Sequence, residues 1–279
     1  MSNAFRHLRS RAVIASGSPN HRARDLIVAE GALQTIEAKI AYGPIDKDLV
    51  DEDVRIEHLV GDRWEMLATV RTSDDGPDCD GGRARFVIPG DRAVGVGRHR
   101  IRVTVVGDQS QAELALVVVP KKQPIFVSDI DGTITVSEIA EFPAMARGEL
   151  PDPHPYAAAA FHRLAERGHV PVYLTARPEW LLPRTRAFLE LHRFPPGVVV
   201  TRRDKSGGFG SSAAAGKLME LERLAEDFTI AWAFGNMPSD AHAYSKIVSD
   251  PRRRVLYRYT DELHGARRIE SYEEIYGEL

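Results

Sequence analysis

The hydrophobic period of this chain changes once, at Pro120-Lys121-Lys122, and that change limits what it can fold into. Before it, apolar and polar residues alternate. Thr35-Ile36-Glu37-Ala38-Lys39-Ile40 does so throughout, and Val54–Val60, Trp64–Arg71, Arg83–Ile88, Arg98–Val106 and Ala112–Val119 read the same way. A period of two places every second side chain on one face, as a half-buried strand requires. Turn residues separate the runs: Tyr42-Gly43-Pro44, Gly61-Asp62, Asp74-Asp75-Gly76-Pro77, Gly81-Gly82 and Pro89-Gly90-Asp91. Short strands without a good helix predict an antiparallel, immunoglobulin-like all-β sandwich over residues 11–120, with Trp64 and Met66 in its core. Residues 1–10 read as a flexible basic tail.

After the boundary, strands alternate with helices. Strands are expected at Ile125–Ser128, Val170–Leu174, Val198–Val200, Phe228–Phe234 and Val255–Tyr257. Helices are expected at His154–Arg167, Glu179–His192, Ala213–Ala225 and Ser239–Lys246. This rhythm predicts an α/β unit over residues 121–279, a parallel sheet covered on both faces. Ser206–Ser212 reads as a mobile loop.

Composition narrows the function classes. With 37 basic and 40 acidic residues among 279, the formal charge is −3, which argues against a general nucleic-acid binder. The single cysteine, Cys79, excludes an internal disulfide framework and a multi-cysteine metal site. No apolar run is long enough to span a membrane. Ala12-Val13-Ile14-Ala15 is too short for the apolar part of a secretory signal, so a cytoplasmic setting is expected. Five arginines lie within residues 1–24 without one acidic residue. With Arg202-Arg203 and Arg252-Arg253-Arg254, they are the groups an anionic membrane surface would meet. Asp74, Asp75, Asp78 and Asp80 lack the closing Glu of a calcium loop and read as a hairpin turn. Trp180 and Trp232 read as packing residues, and His242 as a helix-surface residue.

The chemistry concentrates in Asp129-Ile130-Asp131-Gly132-Thr133-Ile134-Thr135. Two carboxylates, two residues apart at the end of a buried strand, raise each other's pKa unless a cation lies between them. Open α/β sheets bind ligands at that end of their strands. The arrangement asks for Mg²⁺, which prefers carboxylate oxygen and water. Gly132 permits a sharp turn, and the Thr133 hydroxyl with the following backbone N–H groups can hold phosphate oxygens.

This run resembles the first motif of the haloacid-dehalogenase-like (HAD) phosphohydrolases. More narrowly, it resembles the catalytic domain of lipins, the Mg²⁺-dependent phosphatidate phosphatases. It is also similar to the related C-terminal domain of membrane-associated phosphatidylinositol-transfer proteins. Tyr173-Leu174-Thr175-Ala176-Arg177-Pro178 resembles the second motif, Lys217 the third, and Phe234-Gly235-Asn236-Met237-Pro238-Ser239-Asp240 the fourth. The resemblance implies a HAD-like Rossmannoid sheet with a minimal cap, and Mg²⁺ at Asp129, the Asp131 backbone carbonyl, Asn236 and Asp240. It further implies Asp129 as nucleophile, Asp131 as acid and base, and Thr175 and Lys217 as stabilisers of the transferring phosphoryl group. Gly132, Thr133 and Asn236 would line the phosphate.

The reading that follows is an HAD-type phosphatase acting on a phosphate ester, phosphatidate or a related phospholipid phosphate. The short stretch from Thr133 to His154 leaves no room for a large cap, and an open site suits a bulky or surface-bound ligand. Two alternatives stand beside it. One is a phosphatase for soluble phosphate esters. The other is a non-catalytic phosphatidic-acid-binding module, since in the phosphatidylinositol-transfer branch the catalytic pattern is degraded.

Overall fold

The alternating segments of the first half form two sheets in the computed structural model, which describes residues 4–74, 81–136, 141–202 and 211–279. Cys79, Asp75, Asp78, Asp80, Arg203, Lys205 and the start of the Gly-rich stretch lie outside the described residues. The chain divides into two units, Met1–Pro120 and Lys121–Leu279.

In the first unit, a five-stranded sheet runs Leu26–Ala29, Gln111–Val119, Gly97–Val105, Asp53–Val60, Arg63–Arg71. A three-stranded sheet runs Arg22–Ala23, Thr35–Lys39, Arg83–Val87. Ile36, Ala38 and Ala84 from the smaller sheet pack with Val54, Ile56, Ile101, Val103, Leu114 and Leu116 from the larger. These are the inward members of each alternation, which is why the pattern was readable. The sandwich is not purely antiparallel. The chain leaves the smaller sheet after Ala23 and joins the larger one at Leu26, where Leu26–Ala29 runs parallel to Leu116–Val119. Asp25, at the crossing, accepts a hydrogen bond from the Ala115 backbone N–H at 2.8 Å.

Two expectations need correction in this unit. The basic start is not a flexible tail throughout: Leu8–Ile14 is a helix. The buried Glu52 carboxylate accepts from the Arg6 and His7 backbone N–H groups at 2.8 and 3.0 Å and from the Ser10 hydroxyl, while Phe5 and Val13 pack against the core. A carboxylate just before the Asp53–Val60 strand thus satisfies donors at the helix start. Nor is Trp64 in the core. It lies on the edge strand, where a register shift at Ile56/Glu57 breaks the alternation. Its ring sits beneath Arg102 at 4.2 Å and Arg100 at 5.6 Å, and Met66 is exposed.

The second unit holds one six-stranded sheet in the order Val198–Arg202, Val170–Pro178, Pro124–Ser128, Thr229–Gly235, Arg254–Tyr257, Arg267–Ile269. Every neighbouring pair is parallel. Numbered along this unit, the order is 3-2-1-4-5-6, the doubly wound arrangement, whose order reverses between strands 1 and 4. Strand 1 is Pro124–Ser128 and strand 4 is Thr229–Gly235, so the first and fourth motifs leave the sheet on the two sides of that switch point. Helices Ala157–Glu166, Leu182–Leu191, Ser211–Asp227 and Pro238–Ile247 connect the strands, and a short helix, Glu141–Ala146, lies between the first motif and Ala157. The sequence did not anticipate that helix or the last strand. Phe161 packs against Phe126 and Phe234, with ring centroids 5.0 and 4.9 Å apart, and Trp232 stacks on Phe234 within the same core. Among the described residues, no helix is long and apolar enough to cross a membrane.

Candidate functional site

Asp129 is the first residue beyond the Pro124–Ser128 strand, and its backbone N–H donates to the Phe234 carbonyl at 2.9 Å. This bond ties the two sides of the switch point together. Asp129 is 5% exposed, and its Oδ1 accepts from Lys217 Nζ at 2.9 Å. The same Lys217 Nζ reaches Asp240 Oδ1 at 2.6 Å, so one ammonium group serves two buried carboxylates. Burial pushes the Asp129 carboxyl up to about 7; Lys217 pulls it down, while Asp240 and Asp131 add to the rise. Burial also works against the Lys217 charge, but Asp129 and Asp240 more than offset it and hold that ammonium above the ordinary lysine value.

Asp240 sits at the third position of the Pro238–Ile247 helix. Its Oδ2 accepts from the Asn236 and Met237 backbone N–H groups at 3.0 and 3.1 Å, as an acidic side chain at that position often does. With Lys217 on its other oxygen, Asp240 is placed to orient both Asn236 and Lys217. Gly235 makes room for it, because a Cβ there would stand 2.5 Å from the Asp240 Cβ. Opposite, Thr133 donates its hydroxyl to Asn236 Oδ1 at 2.8 Å, with Asp129 Oδ2 at 3.4 Å from the same hydroxyl.

The loop after Asp131 differs from expectation. Gly132 takes the positive φ of +71° that glycine adopts readily. Its N–H donates to the Thr135 hydroxyl at 3.0 Å, and the N–H groups of Thr133, Ile134 and Thr135 all donate to the Ile130 carbonyl. Those amides are committed within the turn, which leaves side-chain groups to meet a ligand. Thr175, buried near the end of the Val170–Pro178 strand, accepts from the Arg177 N–H at 3.1 Å.

Sequence reasoning missed the role of Arg177. Its guanidinium lies within a chain of buried ions beside the first motif. Nε donates to Asp131 Oδ2 at 2.9 Å and Nη2 to Asp131 Oδ1 at 2.7 Å, a two-pronged pairing. Nη1 donates to the Thr185 hydroxyl at 3.1 Å and lies 3.1 Å from Glu141, which also pairs with Arg184. Burial opposes the Arg177 charge, and Asp131 and Glu141 offset that and strengthen it. The only sequence signal was an arginine in the second motif; its partner Asp131 lies 46 residues away.

No group of three or more His, Cys, Asp or Glu side chains among the described residues is arranged as a metal cage. A mixed oxygen set is present instead. Asp129 Oδ2 and Asn236 Oδ1 converge on one hydroxyl, that of Thr133, and both are hard donors of the type Mg²⁺ accepts. Around them, Asp129, Asp131, Asp240 and Glu141 outnumber Lys217, Arg177 and Arg184 by one charge. The donor chemistry and this negative surplus fit a divalent cation.

Of the arginines expected to meet a membrane, Arg22 is buried and Arg252 and Arg253 are exposed. Arg252 and Arg253 pair with Asp250, and Arg254 donates to the Val248, Ser249 and His264 carbonyls. His242 is exposed, as a helix-surface residue is.

Two family models match this chain. Residues 19–118 match "PITM 1-3, beta-sandwich domain", and residues 126–255 match "PITM 1-3, LNS2 domain". Both halves therefore point to one family. The chain is 30% identical to membrane-associated phosphatidylinositol transfer protein 1 of Rattus norvegicus over 255 residues, 89% of this chain and 19% of that protein. It is 27% identical to protein retinal degeneration B of Drosophila melanogaster over 234 residues, 82% of this chain and 17% of that protein. Against membrane-associated phosphatidylinositol transfer protein 3 of Mus musculus the identity is 30% over 196 residues, 68% of this chain and 19% of that protein. The chain thus spans about a fifth of the length of the curated relatives it matches.

These matches overturn the lipin-type assignment and the enzyme reading that came with it. The relatives are named for phosphatidylinositol transfer, and the second unit matches an LNS2 domain. In the structure both Asp131 oxygens accept from Arg177.

Proposed function

We propose that the second unit binds the phosphate of an anionic phospholipid, phosphatidic acid being the ligand it suits best, and holds it without hydrolysis. The observation that carries this reading is the two-pronged Arg177–Asp131 pairing beside Asp129. It engages the residue an acid catalyst would need and leaves Asp129, Thr133 and Asn236 together at the switch point. The strand order and the place of these residues also support a HAD-like reading of the sheet. Mg²⁺ would be held by Asp129, Asn236 and the Asp131 backbone carbonyl, with Asp240 orienting Asn236. When bound, it would supply the positive charge that lets a phosphate approach a carboxylate-rich site. The first unit is a folded β-sandwich, and a membrane is the partner proposed for the chain from its relatives' names.

Sedimentation of the full chain with phosphatidylcholine vesicles, with and without phosphatidate, tests the reading when free phosphate is measured in the same samples. We expect Mg²⁺-dependent binding to the phosphatidate vesicles and no phosphate release. Release of phosphate, or equal binding to both vesicles, overturns it.

A further inference from the structure

Three aromatic residues that no motif contains lie stacked beneath the first-motif loop. His154 stacks on Tyr257 with ring centroids 4.0 Å apart and planes 29° apart, and Tyr257 stacks on Tyr272 at 5.4 Å and 17°. All three are buried, at 7%, 5% and 0% exposure. They come from separate segments: His154 precedes the Ala157–Glu166 helix, Tyr257 ends its strand, and Tyr272 follows the last strand. One outer ring donates to the loop: the Tyr272 hydroxyl donates to the Thr133 carbonyl at 3.0 Å. On the other side of the stack, the His154 backbone N–H donates to the Ile134 carbonyl at 2.8 Å. Two successive carbonyls, those of Thr133 and Ile134, are thus fixed by residues of the stack.

A buried tyrosine hydroxyl needs a partner, and many carbonyls elsewhere in the core could provide one. Here the hydroxyl reaches 139 residues back along the chain to the loop whose next group, the Thr133 hydroxyl, faces Asn236 and Asp129. Tyr257 and Tyr272 also lie beyond the residues that match the LNS2 model, which end at 255.

We infer that the His154–Tyr257–Tyr272 stack positions the Thr133–Ile134 backbone, and through it the Thr133 hydroxyl, for the phosphate ligand. This rests on the phosphate-binding reading above. The three are positioning residues, since none is placed to touch the ligand. The stack makes the segment after residue 255 part of the site.

Tyr272→Phe keeps the ring and removes the hydroxyl donor. His154→Leu removes the outer ring on the other side, and His154→Phe restores an aromatic ring at that place. Each full-length variant would be compared with the parent for affinity toward phosphatidate vesicles and for amide hydrogen exchange at residues 132–135. Tyr272→Phe and His154→Leu are expected to weaken binding about tenfold, the scale of one neutral hydrogen bond or one aromatic pair, and to speed exchange in that loop. His154→Phe is expected to recover most of the affinity, which the loss of a polar group alone would not allow. Unchanged affinity with unchanged loop exchange in Tyr272→Phe and His154→Leu overturns the inference. If the parent itself ignores phosphatidate, the function reading fails. The exchange measurement then decides the stack's role alone, and an unchanged rate removes it.

Discussion

The two units bury charge in opposite ways. In the sandwich, the fully buried Arg22 faces Asp46 at 2.7 Å, and the fully buried Lys39 faces Asp48 at 2.9 Å and donates to the Gly81 carbonyl. Each of these two cations faces a nearby carboxylate. In the second unit, one lysine is shared by Asp129 and Asp240, and one arginine by Asp131 and Glu141. Matched pairs close a structure and leave nothing for a ligand to complete. Shared cations leave a deficit, and a deficit at the carboxyl ends of a parallel sheet is a place for a cation and the anion it brings.

Substitutions can break that contrast. The largest effects should come from removing a buried cation. Lys39→Met takes the ammonium from Asp48, and Arg177→Met takes the guanidinium from Asp131 and leaves Glu141 with Arg184; each is expected to cost about 3–5 kcal/mol in urea unfolding of the full chain. A cost within error of zero in either variant would show that its buried cation does not hold the carboxylates beside it.

Acid sharpens the comparison from the sandwich side. The buried His21 accepts from the Ala41 N–H at 3.2 Å through Nδ1, which leaves Nε2 to donate to Ser110 at 2.8 Å. Burial lowers this histidine to about 4, although nearby Asp108 pulls the other way. As pH falls, the unfolded chain, at the ordinary 6.5, takes up the proton before the folded one does. The stability contributed by neutral His21 is therefore complete above 6.5 and lost between 6.5 and about 4. The loss is expected to be on the order of 2–3 kcal/mol. His21→Gln should flatten this part of the stability profile; an unchanged profile would assign the acid sensitivity to other groups.

Mg²⁺ should act on the second unit alone. At ten times its dissociation constant, an ion that binds only the folded state adds about 1.4 kcal/mol. Amide exchange should slow around Asp129 and Asn236, with the sandwich unaffected, and Asp129→Asn should abolish the response. The smallest effect belongs to the exposed Arg100–Glu113 pair, where Glu113→Gln should change stability by about 0.5 kcal/mol or less by thermal unfolding.

The sequence made the strands legible wherever alternation was unbroken. Thr35–Lys39 and Arg83–Val87 lie where the pattern placed them. It concealed Arg22–Ala23, because a wholly buried arginine looks like part of a basic tail until Asp46 is seen beside it. It misplaced Trp64 because one register shift turned the ring onto a row of arginines. At the site, short-range order was readable: Asp129, Asp131, Gly132 and Thr133 share a turn, and Asn236 and Asp240 share a helix start. The long-range partners were not. Arg177, Glu141, His154 and Tyr272 reach the first-motif segment from other segments, and their spacing along the chain carries no period.

One feature of the sandwich also has a mechanical side. The strand entering the larger sheet and the strand leaving it lie side by side and parallel, from Leu26 opposite Leu116 to Ala29 opposite Val119. Tension applied at Leu26 and Val119 would drag these strands past each other along their length. Their hydrogen bonds would then bear the load together, whereas those of a hairpin pulled at its open end would yield one after another. This strand pair is joined in the geometry that resists stretching when Leu26 and Val119 are the grips.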